Sequence, residues 1–135
     1  MSENQNQREI LLVDDDANYT EVIRMRLEAS GYRVACVSNG REALELLEHE
    51  YQPRLIILDL DMPDKNGLTT LIDLKIRGAK KTAAGSDDAK IPVIIATGLE
   101  SPQIRKIIAD HHVSGYLQKH YESEDLIRTV KQIIG

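Results

Sequence analysis

Acidic residues stand directly after two short apolar runs, where their carboxylates could meet around a metal ion. Asp14 and Asp15 follow the run 10–13, and Asp59 follows the run 55–58. If these runs are neighbouring strands, about 4.8 Å apart, the three carboxylates share one pocket at the strand ends. Like charges so close repel one another unless a cation lies between them. The pattern predicts a Mg²⁺ site, because Mg²⁺ prefers carboxylate, carbonyl and water oxygens as ligands.

Two further polar residues follow later apolar runs. Thr97 comes directly after the run 93–96, and Lys119 comes directly after the run 115–118. An Asp carboxylate held beside Mg²⁺ is a competent nucleophile toward a phosphoryl group. The hydroxyl of Thr97 and the ammonium of Lys119 could then bind the remaining phosphoryl oxygens. Together these residue types predict phosphoryl transfer to a carboxylate.

The apolar runs are the strands that must position these residues. They lie at 10–13, 34–37, 55–58, 93–96 and 115–118. The first four are short and apolar on both faces, which is typical of central parallel strands. The fifth, which contains Tyr116, is more polar and suits an edge of the sheet.

Segments with helical spacing alternate with the strands. Their apolar stripes consist of Tyr19, Val22, Ile23 and Leu27; Leu44, Leu47 and Tyr51; Leu68, Leu71, Ile72 and Ile76; Ile104, Ile107 and Ile108; and Leu126, Val130, Ile133 and Ile134. Residues suited to N-caps lie at Asp16, Asn39, Asn66, Ser101 and Ser123. Five successive strand–helix units predict an α/β fold, a doubly wound five-stranded parallel sheet with helices on both faces.

Length and composition bound the class of protein. The chain has 135 residues, a size typical of one domain. Its formal net charge is −5 and it has no dense Lys/Arg run, which disfavours direct nucleic-acid binding. Its single cysteine, Cys36, excludes an intramolecular disulfide. Since no stretch approaches the roughly 18 apolar residues of a membrane span, we expect a cytoplasmic protein.

Two segments fall outside the strand–helix pattern. Residues 1–8 are polar and are predicted to be a disordered leader to a domain at 9–135. Residues 78–90 are small and polar without an apolar stripe, which predicts an extended surface loop. The sequence leaves open whether the domain acts alone or as part of a longer regulator.

Four motifs in order resemble a response-regulator receiver domain of two-component signalling, of the chemotaxis-regulator type. They are Ile-Leu-Leu-Val-Asp-Asp-Asp at 10–16, Leu-Ile-Ile-Leu-Asp-Leu-Asp-Met-Pro at 55–63 with Gly67 after it, Val-Ile-Ile-Ala-Thr-Gly at 93–98, and Gly-Tyr-Leu-Gln-Lys at 115–119. Each motif alone is weak, whereas all four at the ends of predicted strands form a specific combination. The resemblance implies a flavodoxin-like (βα)5 sheet with strand order 2-1-3-4-5.

The resemblance also implies a phospho-acceptor site. Asp59 would accept a phosphoryl group from a phosphohistidine on a sensor histidine kinase or a phosphotransfer protein. Asp15 would bind Mg²⁺ directly and Asp14 mostly through water, while the main-chain carbonyl of Asp61 would complete the protein ligands beside Asp59. Mn²⁺ could substitute for Mg²⁺. Because such a domain catalyses its own phosphorylation and dephosphorylation, it is not expected to be a turnover enzyme.

The remaining roles concern the switch that the family uses. Thr97 and Lys119 would hold the phosphoryl group, and Gly98 would leave room for it to enter. Tyr116 matches the aromatic residue that swings inward when the threonine moves. The surface from the fourth predicted helix through the fifth strand to the fifth helix would then select a downstream protein, and a phosphorylation-dependent homodimer is left open.

Three positions depart from the family pattern. His120 stands where the family usually has a proline with a cis bond. Because a cis bond before a non-proline residue costs about 2.5–4 kcal/mol, we expect Lys119 to be held less firmly. The loop 78–90 is longer than the usual connection. Asp61 stands at a position that varies in the family and that the resemblance places on the path of a hydrolytic water. Its carboxylate could orient or repel that water, so the lifetime of the phosphoryl group is left open.

Two other functions fit parts of the pattern. The string Leu-Asp-Leu-Asp at 58–61 resembles the first motif of haloacid-dehalogenase-type phosphatases, although little chain follows Asp61. A receiver-like module could also serve as a docking surface without being phosphorylated. Such modules usually lack one of the site residues, whereas all of them are present here.

Overall fold

Five parallel strands form one sheet in the computed structural model, which describes residues 10–48, 53–60, 91–98, 102–110, 113–118 and 123–135. The strands are β1 (Ile10–Val13), β2 (Val34–Val37), β3 (Leu55–Leu58), β4 (Val93–Thr97) and β5 (Gly115–Gln118). Their order is β2-β1-β3-β4-β5, as the resemblance implied. The chain therefore adds β2 on one side of β1 and the later strands on the other, so its connections diverge between β1 and β3.

Four helices belong to the described residues. They are α1 (Ala17–Ala29), α2 (Gly40–Glu48), α3 (Pro102–Asp110) and α4 (Ser123–Ile134). The leader predicted at 1–8, the helix predicted from the stripe 68–76 and the loop predicted at 78–90 lie outside the described residues. Within the part of the chain that the structure describes, no helix has the length and apolar character needed to cross a membrane.

Side chains alternate between the two faces of the sheet along each strand, so the strands contribute to two apolar cores, one on each face. The core on one face joins strand residues to α2 through Leu11, Ile56, Ile95, Ala43, Leu44 and Leu47. The core on the other face joins strand residues to α1 and α4 through Leu12, Ile57, Ile94, Ile23, Leu27, Leu126 and Val130. Helices therefore cover both faces, which confirms the doubly wound architecture.

The inner strands are apolar throughout because both of their faces are covered. Every residue of β1, β3 and β4 is at most 1% exposed. The run 34–37 is equally apolar, yet β2 lies at an edge of the sheet and its Cys36 is exposed. The interpretation of that run as a central strand from its composition is therefore wrong, because apolar sequence alone does not show how many neighbours a strand has. The strand order that the resemblance implied, with this strand at an edge, is confirmed.

Two predicted caps begin helices, those predicted at Asn66 and Ser101 lie outside the described residues, and two details of the helix prediction are wrong. Oδ1 of Asn39 accepts a hydrogen bond from the Glu42 N–H at 2.9 Å, before α2, and Asp16 caps α1. Ser123 is the first residue of α4 rather than the residue before it. Val22 is 52% exposed, because a helix turns about 100° per residue and Val22 therefore lies beside the face that carries Ile23.

Candidate functional site

The strands β1 and β3 end at the same level, which places the acidic residues after them side by side. Val13 and Leu58 are direct partners in the parallel register. The backbone N–H of Asp59 donates to the carbonyl oxygen of Val13 at 3.0 Å. The backbone N–H of Asp14 donates to the carbonyl oxygen of Val37 at 3.1 Å. The main chain of each aspartate is thus tied to the neighbouring strand at the carboxyl edge of the sheet.

Three carboxylates meet at this edge, as the strand pattern predicted. One carboxylate oxygen from each of Asp14, Asp15 and Asp59 lies within 4.8 Å of those from the other two. Asp14 and Asp59 are each 3% exposed, whereas Asp15 is exposed. Burial reduces the screening of their charges by water, so these carboxylates repel one another more strongly than they would on an open surface. The site is therefore an acidic pocket that is open to solvent on the Asp15 side.

The donor set of this pocket fits a hard divalent cation. It offers carboxylate oxygens, which suit Mg²⁺ and Mn²⁺. A cation would also offset the repulsion among Asp14, Asp15 and Asp59. The residues present are thus the kind that could hold the metal that the sequence predicted.

Asp16 holds the start of α1 and contacts Asp14 at the same time. Its side-chain Oδ1 accepts a hydrogen bond from the Tyr19 N–H at 3.1 Å. Its backbone N–H donates to Oδ1 of Asp14 at 2.9 Å. The cap was predictable from sequence. The bond to Asp14 was not predicted, although an aspartate two residues before a cap is a signal for such a turn.

The residues predicted to form the switch lie on the next two strands. Thr97 is the last residue of β4, one residue beyond the predicted end of that strand, and it is fully buried. Tyr116 is half-buried and packs against the core that contains Ile95, its partner in the register. Because side chains alternate along a strand, Thr97 and Tyr116 project from the same face of the sheet. Gly98 follows Thr97 and is exposed.

Two predicted site residues, Asp61 and Lys119, lie outside the described residues, as does His120. The residue that precedes each of Asp61 and Lys119 is described. Leu60, which precedes Asp61, is buried in the core on the α2 face. Gln118, which precedes Lys119, pairs with Thr97. The roles predicted for Asp61 and Lys119 stay predictions.

Comparison with known proteins identifies the family. A model of the response regulator receiver domain matches residues 10–131. The chain therefore belongs to the response regulator receiver domain family. Receiver domains are signalling domains of two-component systems, and the match over residues 10–131 places the chain in this family rather than among the haloacid-dehalogenase-type proteins.

Individual relatives and solved structures agree with this family. The transcriptional regulatory protein CpxR of Escherichia coli (strain K12) is 31% identical over 125 residues, which cover 93% of this chain and 48% of CpxR. The chain thus spans about half the length of this relative. The chemotaxis protein CheY4 of Vibrio cholerae has the same fold, with a TM-score of 0.79 at 23% identity over 95% of this chain and 99% of CheY4. The Mn²⁺-bound form of response regulator Rcp1 has a TM-score of 0.71 at 28% identity, over 93% of this chain and 91% of Rcp1.

Proposed function

We propose that this receiver domain accepts a phosphoryl group on Asp59 in a Mg²⁺-dependent reaction, and that phosphorylation changes a protein-interaction surface. The observation that carries this proposal is the meeting of the Asp14, Asp15 and Asp59 carboxylates within 4.8 Å. Two of the three are buried, and the third is exposed to solvent. Such a pocket combines a carboxylate nucleophile with ligands for the metal that phosphoryl transfer requires.

The donor of the phosphoryl group is a phosphohistidine on a sensor histidine kinase or a phosphotransfer protein. A carboxylate oxygen of Asp59 attacks the phosphorus atom, and an O–P bond forms while the P–N bond breaks. The electron pair of that bond leaves with the imidazole of the donor. Bound Mg²⁺ would supply positive charge to the phosphoryl oxygens. Asp15 and the carbonyl of Asp61 would be its other direct protein ligands, and Asp14 would reach it mostly through water.

The remaining residues of the site hold the phosphoryl group and report its presence. The hydroxyl of buried Thr97 and the ammonium of Lys119 bind phosphoryl oxygens. Because Tyr116 projects from the same face as Thr97, a movement of the threonine changes the space available to the tyrosine. The surface of α3, β5 and α4 then binds a downstream protein or a second copy of the chain.

Direct contact with nucleic acid is not part of the proposal for this segment. Its net charge of −5 opposes binding to a phosphate backbone. CpxR is named as a transcriptional regulator, but this chain covers 48% of that protein. Regulation of transcription would belong to other parts of a longer protein.

Incubation with acetyl phosphate and Mg²⁺, followed by intact mass measurement, tests the proposal. We expect the wild-type chain to gain one phosphoryl group and to gain none when EDTA removes the metal. Asp59→Asn should take up no label, whereas Asp110→Asn, which changes an exposed carboxylate on α3, should be labelled like the wild type. A wild-type chain that stays unlabelled would favour a docking module, and labelled Asp59→Asn would exclude Asp59 as the acceptor.

A further inference from the structure

We infer that Asp16 is a positioning residue for the metal site, because its capping of α1 holds the carboxylate of Asp14 in place. This inference rests on the proposed function, since it concerns the same Mg²⁺ site. Asp16 is not assigned as a ligand. Its effect on the metal passes through the main chain and through Asp14.

Three hydrogen bonds fix Asp16 between the acidic pocket and α1. Its side-chain Oδ1 accepts from the Tyr19 N–H at 3.1 Å, and its carbonyl oxygen accepts from the Thr20 N–H at 2.9 Å. Its backbone is extended, with φ −87° and ψ 102°. In this conformation the N–H of Asp16 turns back toward the pocket and donates to Oδ1 of Asp14 at 2.9 Å.

Asp14 is consequently held at both ends. Its backbone N–H donates to the carbonyl oxygen of Val37 at 3.1 Å, and its carboxylate accepts from the N–H of Asp16. A hydrogen bond from an N–H to a carboxylate is stronger than one between neutral groups. The bond restricts the rotation of the Asp14 side chain, so less conformational entropy is lost when this carboxylate orients a metal ion or a metal-bound water.

Loss of the Asp16 cap would remove the constraint on the Asp14 carboxylate. The side-chain oxygen of Asp16 holds its backbone against the first turn of α1 together with the bond from the Thr20 N–H to its carbonyl oxygen. Without that side-chain oxygen the first turn frays, and the N–H that orients Asp14 is no longer fixed. Metal affinity should therefore depend on the ability of residue 16 to cap the helix rather than on its charge.

Four substitutions separate capping from charge. Asp16→Asn and Asp16→Ser keep an oxygen at capping distance and remove the charge. Asp16→Glu keeps the charge, but its extra methylene moves the carboxylate away from the Tyr19 N–H. Asp16→Ala removes both. Isothermal titration with MgCl2 at constant ionic strength gives the dissociation constant of each variant, and thermal denaturation in EDTA shows that each variant is folded at the titration temperature.

We expect the Asn and Ser variants to bind Mg²⁺ within about twofold of the wild type, and the Glu and Ala variants to bind about tenfold more weakly. A wild-type affinity for the Glu variant with weak binding by the Asn and Ser variants would assign the effect to charge and overturn the inference. An Ala variant that is less stable but binds Mg²⁺ like the wild type would give Asp16 a structural role alone and would overturn it as well. If the wild type binds no Mg²⁺, the proposed function fails and this inference fails with it.

Discussion

Gly115 in β5 lies so close to Thr129 in α4 that a Cβ atom at position 115 would stand 3.2 Å from Cγ2 of the threonine. The same Cβ would lie 3.4 Å from Cγ1 of Ile94 in β4. The hydroxyl of Thr129 donates to the carbonyl oxygen of Asp125 at 2.9 Å, which limits rotation of its side chain. The absence of a side chain at Gly115 thus permits the close approach of α4 to the strand that leads to Lys119.

The first prediction concerns this contact. Gly115→Ala should lower the free energy of unfolding by about 1 kcal/mol, because the added methyl group crowds Thr129, whose side chain is held by its bond to Asp125. Thr129→Ser removes Cγ2 but keeps the hydroxyl that bonds to Asp125. The double variant should therefore recover part of the loss, which urea denaturation of all four chains would measure. Strictly additive effects would show that the two positions do not interact.

The second prediction concerns repulsion in the acidic pocket. Without a metal, Asp59→Asn should raise the free energy of unfolding by about 1–3 kcal/mol, because it removes one of three neighbouring negative charges. The gain should shrink when Mg²⁺ is added, since the ion offsets the repulsion in the wild type. Chemical denaturation in EDTA and in MgCl2 measures both values. The exposed-site variant Asp110→Asn should change little in either buffer, and equal stability of Asp59→Asn and wild type in EDTA would contradict the explanation.

The third prediction separates the hydroxyl of Thr97 from its methyl group. Thr97→Val has nearly the shape of threonine but lacks the hydroxyl that would bind a phosphoryl oxygen. We expect its labelling by acetyl phosphate to slow by at least about tenfold. Thr97→Ser keeps the hydroxyl and should stay within about threefold of the wild type. Labelling rates that are the same for the Val and Ser variants would remove the hydroxyl from the mechanism.

The fourth prediction uses the absence of tryptophan from the chain. Tyr116→Trp would introduce a single indole on the face of the sheet that carries Thr97. If phosphorylation moves the aromatic residue, the fluorescence of this variant should change when acetyl phosphate and Mg²⁺ are added together. The same change should be absent when Asp59→Asn is combined with it. Fluorescence that stays constant while the mass shows complete labelling would exclude Tyr116 as part of the switch.

Strand positions and the acidic pocket were predictable because they depend on local patterns and one topological rule. Apolar runs such as 10–13 and 55–58 place strands directly from sequence, and parallel strands bring their carboxyl ends to one edge. That rule groups Asp14, Asp15 and Asp59 once β1 and β3 are neighbours, as the strand order implied by the resemblance requires. The role of Lys119 remains a prediction from sequence, because that residue lies outside the described part of the chain.

The sequence by itself thus determined which residues form strands, which helices are amphipathic and which carboxylates could meet. Only the tertiary structure decided that Cys36 is exposed and that Val22 lies beside the core-facing side of α1. It also decided that the N–H of Asp16 bonds to Asp14 and that Gly115 lies against Thr129. Periodicity shows how apolar each side of a segment is. These contacts depend instead on the angle and distance at which separate elements pack, which all the elements together determine.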